Sequence, residues 1–260
     1  MIGQASTNVP PGVHLFYSDS GSSGVPIVLM HAATGSILSW EHQTPAFVKA
    51  GFRVIAFDRR GWGGTTVDPN TPAGTAADDL IALMDSLHID RFHLVGTAAG
   101  GFVAFDAALS YPQRLRSLVV ANSIGGVQDP DFLELGQRLR PPAFTAMPPE
   151  LRELSPSYRA SSPGGTARWT QIESVSRPQG SAAAQPLKNK ITFAALESIR
   201  VPTLLLTGDA DMFAPPPVLK MFAQHIRQAQ TVVVPEAGHS TYWEQPEAFN
   251  RAVLEFVKKH

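Results

Sequence analysis

In this chain of 260 residues the segment Leu94-Val95-Gly96-Thr97-Ala98-Ala99-Gly100-Gly101 has the clearest chemical shape. An apolar, β-prone run enters it and a run of small apolar residues, Phe102 to Leu109, leaves it as a helix. Gly96 and Gly100, two places either side of position 98, permit a very sharp strand-to-helix turn. A side chain at the apex would project over the carboxyl end of the sheet, beside a helix N-terminus, as in the G-x-S-x-G turn that presents a nucleophile. Here the apex is Ala98, which has no nucleophilic atom. Cysteine nucleophiles and thiolate metal sites are excluded because the chain has no Cys. His14, His42, His88, His93, His225 and His260 show no shared ligand spacing, so no metal and no other cofactor is expected.

The elements that must position such a turn recur along the chain. Short runs rich in β-branched residues lie at Pro26–Met30, Phe52–Phe57, Arg91–Val95, Leu118–Ala121, Val201–Leu206 and Thr231–Val234. Runs this continuously apolar suit strands buried on both faces, as in a parallel sheet. Nothing before Val13–Tyr17 reads as ordered. Between the strands, Ala76 to Leu87 has helical periodicity, with Leu80, Leu83, Met84 and Leu87 on one side. Pro215 to Ile226 and Pro246 to Lys259 each carry Pro near a helix start, where its missing N–H costs least. Alternation of strand and helix predicts an α/β fold with right-handed crossovers.

The alternation stops between Ile124 and Ser198, a stretch holding nine of the 22 prolines. It contains amphipathic pieces, Phe132 to Leu139 and Ala167 to Val175, and no convincing strand. About 75 structureless residues inside a compact domain would be improbable. The division expected is therefore a core of residues 1–123 and 199–260, with residues 124–198 as a helical cap.

Charge narrows the partners. Lys+Arg number 21 against 22 Asp+Glu, a net charge of −1, which argues against nucleic-acid binding through bulk positive charge. No stretch reaches the roughly 18–20 apolar residues of a membrane span, and Met1–Pro11 lacks the basic start and apolar block of a secretory signal. A cytoplasmic protein acting on a small molecule, with no nucleic-acid or membrane partner, is expected; monomer and homodimer are not distinguished.

Four further motifs carry a resemblance. Met30-His31-Ala32-Ala33-Thr34-Gly35 resembles the His-Gly oxyanion loop of the α/β-hydrolase superfamily, with Ala32 in place of the usual Gly. Phe57-Asp58-Arg59-Arg60-Gly61-Trp62-Gly63-Gly64-Thr65 resembles its D-x-R-G-x-G-x-S turn. Gly208-Asp209-Ala210-Asp211 matches the G-x-x-D loop that supplies an acid, and Gly238-His239 the loop that supplies a base. Together, in this order, they identify the chain as similar to that superfamily over nearly its whole length outside the insertion. The fold implied is a mostly parallel central sheet flanked by helices, with a helical cap.

The resemblance assigns roles that the chemistry explains. A hydroxyl is a poor nucleophile at neutral pH and needs a base to take its proton, here His239. A carboxylate then holds the tautomer of the imidazole, a role given to Asp211 over Asp209, with uncharged Asn122 removing the alternative acid position after the sixth strand. Backbone N–H groups of Ala33 and Ala99 would form the oxyanion hole, and His31 would brace its loop. Asp58, Arg59 and Arg60 would tie down surface turns. Phe132, Leu133, Leu135, Leu139, Phe144, Met147, Trp169 and Ile172 suggest an apolar pocket wall, Trp169 first among them, with Ser240 beside the base. Arg138, Arg140 and Arg168 fit surface ion pairs better than a carboxylate site.

Three readings of Ala98 compete: an engineered replacement of serine, a natural binding protein of this fold, or a relative doing proton transfer with the His–Asp pair alone. The complete acid and base favour the first. Thr97 is one residue off the apex and points elsewhere. The chain as written is then a nearly inert form of a hydrolase of a small, apolar or aromatic carboxylic ester or lactone, acting through an acyl-enzyme. The His31 loop and Asn250–Phe256 also resemble meta-cleavage product hydrolases, which split carbon–carbon bonds. Those usually carry G-P-G after the oxyanion His and Trp after the base, where this chain has Thr34-Gly35-Ser36 and Ser240. Dehalogenation would require Asp at the apex.

Overall fold

Each apolar run becomes a strand of one sheet. In chain order the strands are β1 (Gly3–Asn8), β2 (Val13–Asp19), β3 (Pro26–Met30), β4 (Arg53–Phe57), β5 (Thr66–Val67), β6 (Phe92–Thr97), β7 (Leu115–Ala121), β8 (Thr203–Gly208) and β9 (Gln230–Val234). The computed structural model describes residues 3–177 and 185–260. The strands lie in the order β1-β2-β4-β3-β6-β7-β8-β9, with β5 paired to β2. From β4 to β9 every pairing is parallel, whereas β1, β2 and β5 pair antiparallel at one end. The central strands β6 and β8 are buried at every residue, as the unbroken apolar runs require of a sheet covered on both sides.

β1 departs from the sequence expectation. Its residues, Gly3 to Asn8, are small and polar and mostly exposed, so no apolar alternation marks them. Their pairing with β2, Gly3 opposite Asp19 through Asn8 opposite His14, rests on backbone hydrogen bonding at the edge of the sheet.

The helices are α1 (Gln43–Lys49), α2 (Ala76–Ser86), α3 (Ala99–Ser110), α4 (Pro130–Leu139), α5 (Pro142–Thr145), α6 (Pro149–Glu153), α7 (Pro156–Ser161), α8 (Pro163–Ser176), α9 (Phe193–Leu196), α10 (Pro216–His225), α11 (Thr241–Glu244) and α12 (Pro246–Val257). α4 to α9 fall between β7 and β8, so the proline-rich stretch is a helical insertion. Five of its helices, α4 through α8, carry Pro in the first turn, where no hydrogen bond is lost. Two apolar clusters cover the sheet. One gathers Phe92, Phe105 and Phe222 around α2, α3 and α10, the other Trp40, Phe47, Tyr242 and Phe249 around α1 and α12.

The Asp58–Thr65 turn lies deeper than a surface turn. Asp58 is 1% exposed and accepts from the Ile37 N–H (2.7 Å) and the Gly64 N–H (2.8 Å). Burial raises its carboxyl to about 6, against the pull of those two amides. Arg60 forms a two-pronged pair with buried Asp79 at 2.7 and 2.6 Å, and the Arg59 guanidinium lies 4.5 Å over the Trp62 ring. Charges placed there need those partners, because an unpaired buried charge is costly.

Candidate active site

The turn after β6 is as sharp as its glycines allow. A Cβ on Gly96 would stand 2.4 Å from the Gly100 carbonyl oxygen, and one on Gly100 would stand 2.1 Å from that of Met30. Both glycines are there for close approach. Between them Ala98 takes φ 49° and ψ −115°, a conformation that costs a non-glycine residue on the order of 1–3 kcal/mol. It is held from several sides: the Ala98 N–H donates to Ala121 O (3.0 Å), and Ala98 O accepts from Gly101 N (3.0 Å) and the Ser123 hydroxyl (2.6 Å).

The loops after β8 and β9 bring the acid and the base together. His239 Nδ1 donates to Asp211, both of whose carboxyl oxygens lie at 2.9 Å. Asp211 Oδ1 also accepts from the N–H groups of Phe213 (2.7 Å) and Ala214 (2.9 Å), and Oδ2 from Asn122 Nδ2 (3.0 Å). Burial alone would raise this carboxyl, but the imidazole and these donors hold it at about 2. Asp209, the competing acid, is exposed. In the sequence Asn122 signals only a missing charge. In the structure it also holds Gly238 O (3.1 Å) and accepts from Thr241, tying the acid to the base loop.

With Nδ1 engaged, Nε2 is the ring nitrogen left to face the cavity over the elbow. That cavity, about 180 Å³, is lined by Ala32, Ala33, Ala98, Ala99, Phe102, Asn122, Ile124, Glu153, Phe213 and His239. A larger groove of about 260 Å³ between β9 and α12 contains none of these residues, and it has no grouping able to do acyl chemistry. Phe213 packs its ring 4.3 Å from that of His239. Ala99 opens α3, so its N–H has no partner within the helix. Ala33 is fixed from behind, its carbonyl accepting from Trp62 Nε1 at 2.7 Å. Ala33 and Ala99 both line the space above Ala98.

His31 braces the loop as expected. Its Nδ1–H donates to Ala32 O (2.7 Å) while Nε2 accepts the Arg59 N–H (3.1 Å). Those two bonds require the neutral ring, and burial, then the Arg59 charge, hold its pKa well below the ordinary value.

The two expected substrate contacts do not line this cavity. Trp169 is 3% exposed and joins Leu154, Ile172 and Tyr242 in the core under the insertion, so it packs the insertion onto the body and does not border the cavity. Ser240 is buried one place past the base and is not among the residues that line the cavity. None of the other insertion residues named for the wall reaches the cavity. Phe144 packs its ring 4.9 Å from that of Phe213. The apolar wall comes instead from Phe102 on α3, Ile124 after β7 and Phe213 beside the acid. Arg138 and Arg168 pair with Glu134 and Glu41, and Arg140 donates to Phe213 O. Thr97 is fully buried and absent from the cavity. Among the described residues no cluster of His, Asp or Glu could hold a metal ion, and no helix is long and apolar enough to cross a membrane.

The charge on the imidazole has a measurable consequence. Burial alone would lower the His239 pKa, but the carboxylates of Asp211, Glu153 and Glu244 raise it above the ordinary 6.5. A raised pKa contributes stability that is full below 6.5 and lost as pH climbs through the folded value. Its ring resonances should titrate with a midpoint above 6.5 by NMR, falling in Asp211→Asn. A midpoint at or below 6.5 in the unaltered chain would contradict the arrangement.

Known proteins share this fold. Residues 27–252 match the model of the alpha/beta hydrolase family. A 2-hydroxy-6-oxononadienedioate/2-hydroxy-6-oxononatrienedioate hydrolase of Burkholderia vietnamiensis is 30% identical, covering 95% of this chain and 92% of its own. The 3-oxoadipate enol-lactonase 2 of Acinetobacter baylyi is 27% identical over 95% of this chain and 94% of its own. A thermophilic esterase from Thermogutta terrifontis superposes with a TM-score of 0.82 at 30% identity, over 100% of this chain and 98% of its own. With the sheet order, the elbow and the paired Asp211 and His239 already in place, a match over this much of the sequence settles the matter: the chain belongs to the alpha/beta hydrolase family.

Proposed function

We propose that this chain is the nucleophile-deleted form of a hydrolase which, with serine at position 98, cleaves a small apolar or aromatic carboxylic ester or lactone through an acyl-enzyme. The observation that supports this reading most is the backbone of Ala98, at φ 49° and ψ −115°. Alanine gains nothing from that conformation. A turn shaped only for binding would relax it or use glycine, whereas a turn shaped to aim a hydroxyl needs it.

The chemistry follows from the neighbours. A serine Oγ at the apex would pass its proton to His239 Nε2 as it attacked the ester carbonyl, and Asp211 would stabilise the imidazolium. The oxyanion would rest on the N–H groups of Ala33 and Ala99. His239 would then return the proton to the leaving alkoxide, and water activated by the same base would release the acid. Without that hydroxyl, attack has no starting atom while the cavity keeps its shape. An engineered replacement accounts for a complete acid, base and oxyanion hole around an alanine, and the cavity's small apolar walls suit a short acyl chain or a single ring.

The Burkholderia relative supports a second reading, carbon–carbon hydrolysis of ring-fission products. A panel separates them: Ala98→Ser offered short acyl p-nitrophenyl esters, lactones and a ring-fission dienoate. Turnover of the esters or lactones is expected. Turnover of the dienoate alone would replace the reading, and tight binding by the unaltered chain with no turnover of any substrate would favour a binding protein.

A further inference from the structure

One carboxyl group in the cavity has no task in the mechanism above. Glu153 ends α6, and its backbone carbonyl accepts the His239 N–H at 2.7 Å, which fixes it against the base loop. Glu153 lines the cavity together with Ala98 and His239. The residue is 7% exposed, and its Oε2 has no hydrogen-bond partner among the described residues. No ion pair reaches it among those residues either. The side-chain amide of the wall, on Asn122, is committed to Asp211, Gly238 and Thr241. Burial raises the Glu153 carboxyl, and Asp211 and Glu173 add to that rise while His239 and Arg152 oppose it.

A buried polar atom left unsatisfied weakens the fold, and a site that holds one ready discriminates sharply for a ligand group able to pair with it. We propose that Glu153 is a specificity-determining residue that receives a hydroxyl group of the substrate, so that the natural substrates are hydroxy-substituted acyl esters or lactones. This rests on the hydrolase reading and deepens it. A hydroxyl suits the carboxyl in either protonation state, donating to the carboxylate or exchanging hydrogen bonds with the acid. An anionic group would face Asp211 and Glu153 together. An ammonium group would crowd the imidazole that must itself become positive during the reaction. An engineered cavity of about 150 Å³ holds one benzene, so the 180 Å³ here admits a short hydroxyacyl chain and little more.

The test compares p-nitrophenyl 3-hydroxybutyrate with p-nitrophenyl butyrate in the Ala98→Ser variant. The hydroxy ester should be preferred by about 10- to 100-fold in kcat/KM. Glu153→Leu in the same background should bring the ratio to within about threefold of one, while Glu153→Gln, which keeps shape and hydrogen bonding, should retain most of it. A ratio near one before Glu153 is changed, or an unaltered ratio in Glu153→Leu, overturns the proposal and leaves the hydrolase reading standing. If Ala98→Ser turns over neither ester, the hydrolase reading fails. Calorimetry of the unaltered chain with ethyl 3-hydroxybutyrate and ethyl butyrate then decides the binding role, and equal affinities overturn it. Should Glu153→Leu not fold, the unaltered chain decides: equal affinities for ethyl 3-hydroxybutyrate and ethyl butyrate overturn the proposal.

Discussion

Placing serine at position 98 should raise ester turnover by about 10⁶-fold over the present chain, the loss typical of deleting a triad nucleophile. The expectation is this large because every other part is already in place. His239 is locked to Asp211 at 2.9 Å, the elbow is held by Ala121, Gly101 and Ser123, and Ala33 and Ala99, proposed for the oxyanion hole, line the cavity. Adding His239→Ala to Ala98→Ser should return turnover nearly to its starting level, since the nucleophile and its base act as a unit and their losses do not add. Asp211→Asn should cost less, about 10⁴-fold, through the wrong tautomer. Burst kinetics with p-nitrophenyl acetate would read all three. If the double variant kept the rate of Ala98→Ser, the base would have to be sought elsewhere.

The second large effect concerns folding. In Gly100→Ala the added methyl would stand 2.1 Å from Met30 O and 2.7 Å from Met30 C. Neither atom belongs to a flexible side chain; both lie in the backbone of β3, which pairs with β4 and β6 on its two sides. The start of α3 must therefore move off the sheet, carrying Ala98 and the Ala99 N–H with it. We expect a loss of about 3 kcal/mol or more, at or beyond the usual range for overpacking, together with loss of any activity gained by Ala98→Ser. Gly164→Ala is the control: nothing lies within 4 Å of its added Cβ, and in the first turn of α8 it should be neutral or stabilising by up to about 1 kcal/mol. Urea midpoints of the two variants measure the difference. A Gly100→Ala chain as stable as the parent would mean that the strand and helix do not approach as closely as described.

The order of elements was readable because burial on both faces leaves unbroken apolar runs, and β3, β6 and β8 have no other way to be written. Gly96 and Gly100 announced the elbow for a similar reason: backbone approach at about 2 Å from a would-be Cβ admits no other residue. β1 was silent because an exposed edge strand of Gly, Gln, Ala, Ser, Thr and Asn is held by main-chain bonds that any sequence can make. The cavity wall was misplaced for a different reason. Apolar residues of the insertion, Trp169 and Ile172 among them, pack the insertion against the sheet domain, and burial looks the same in sequence whether it faces a core or a ligand. The residues that do line the cavity lie beside the chemistry, Phe102 in the first turn after the elbow and Phe213 two places past the acid. That adjacency was the available signal. Glu153 had none, since only the fold brings it to His239.

The insertion touches the base loop through more than apolar packing. Glu153 O takes the His239 amide, while Glu244 accepts from both Gly238 N and Ser155 N. The roof of the cavity and the ring beneath it are thus clamped as one piece, like a keystone and the arch it closes. Segment 153–155 cannot swing aside as a door without unseating the imidazole, so traffic into the cavity has to pass some other part of its rim.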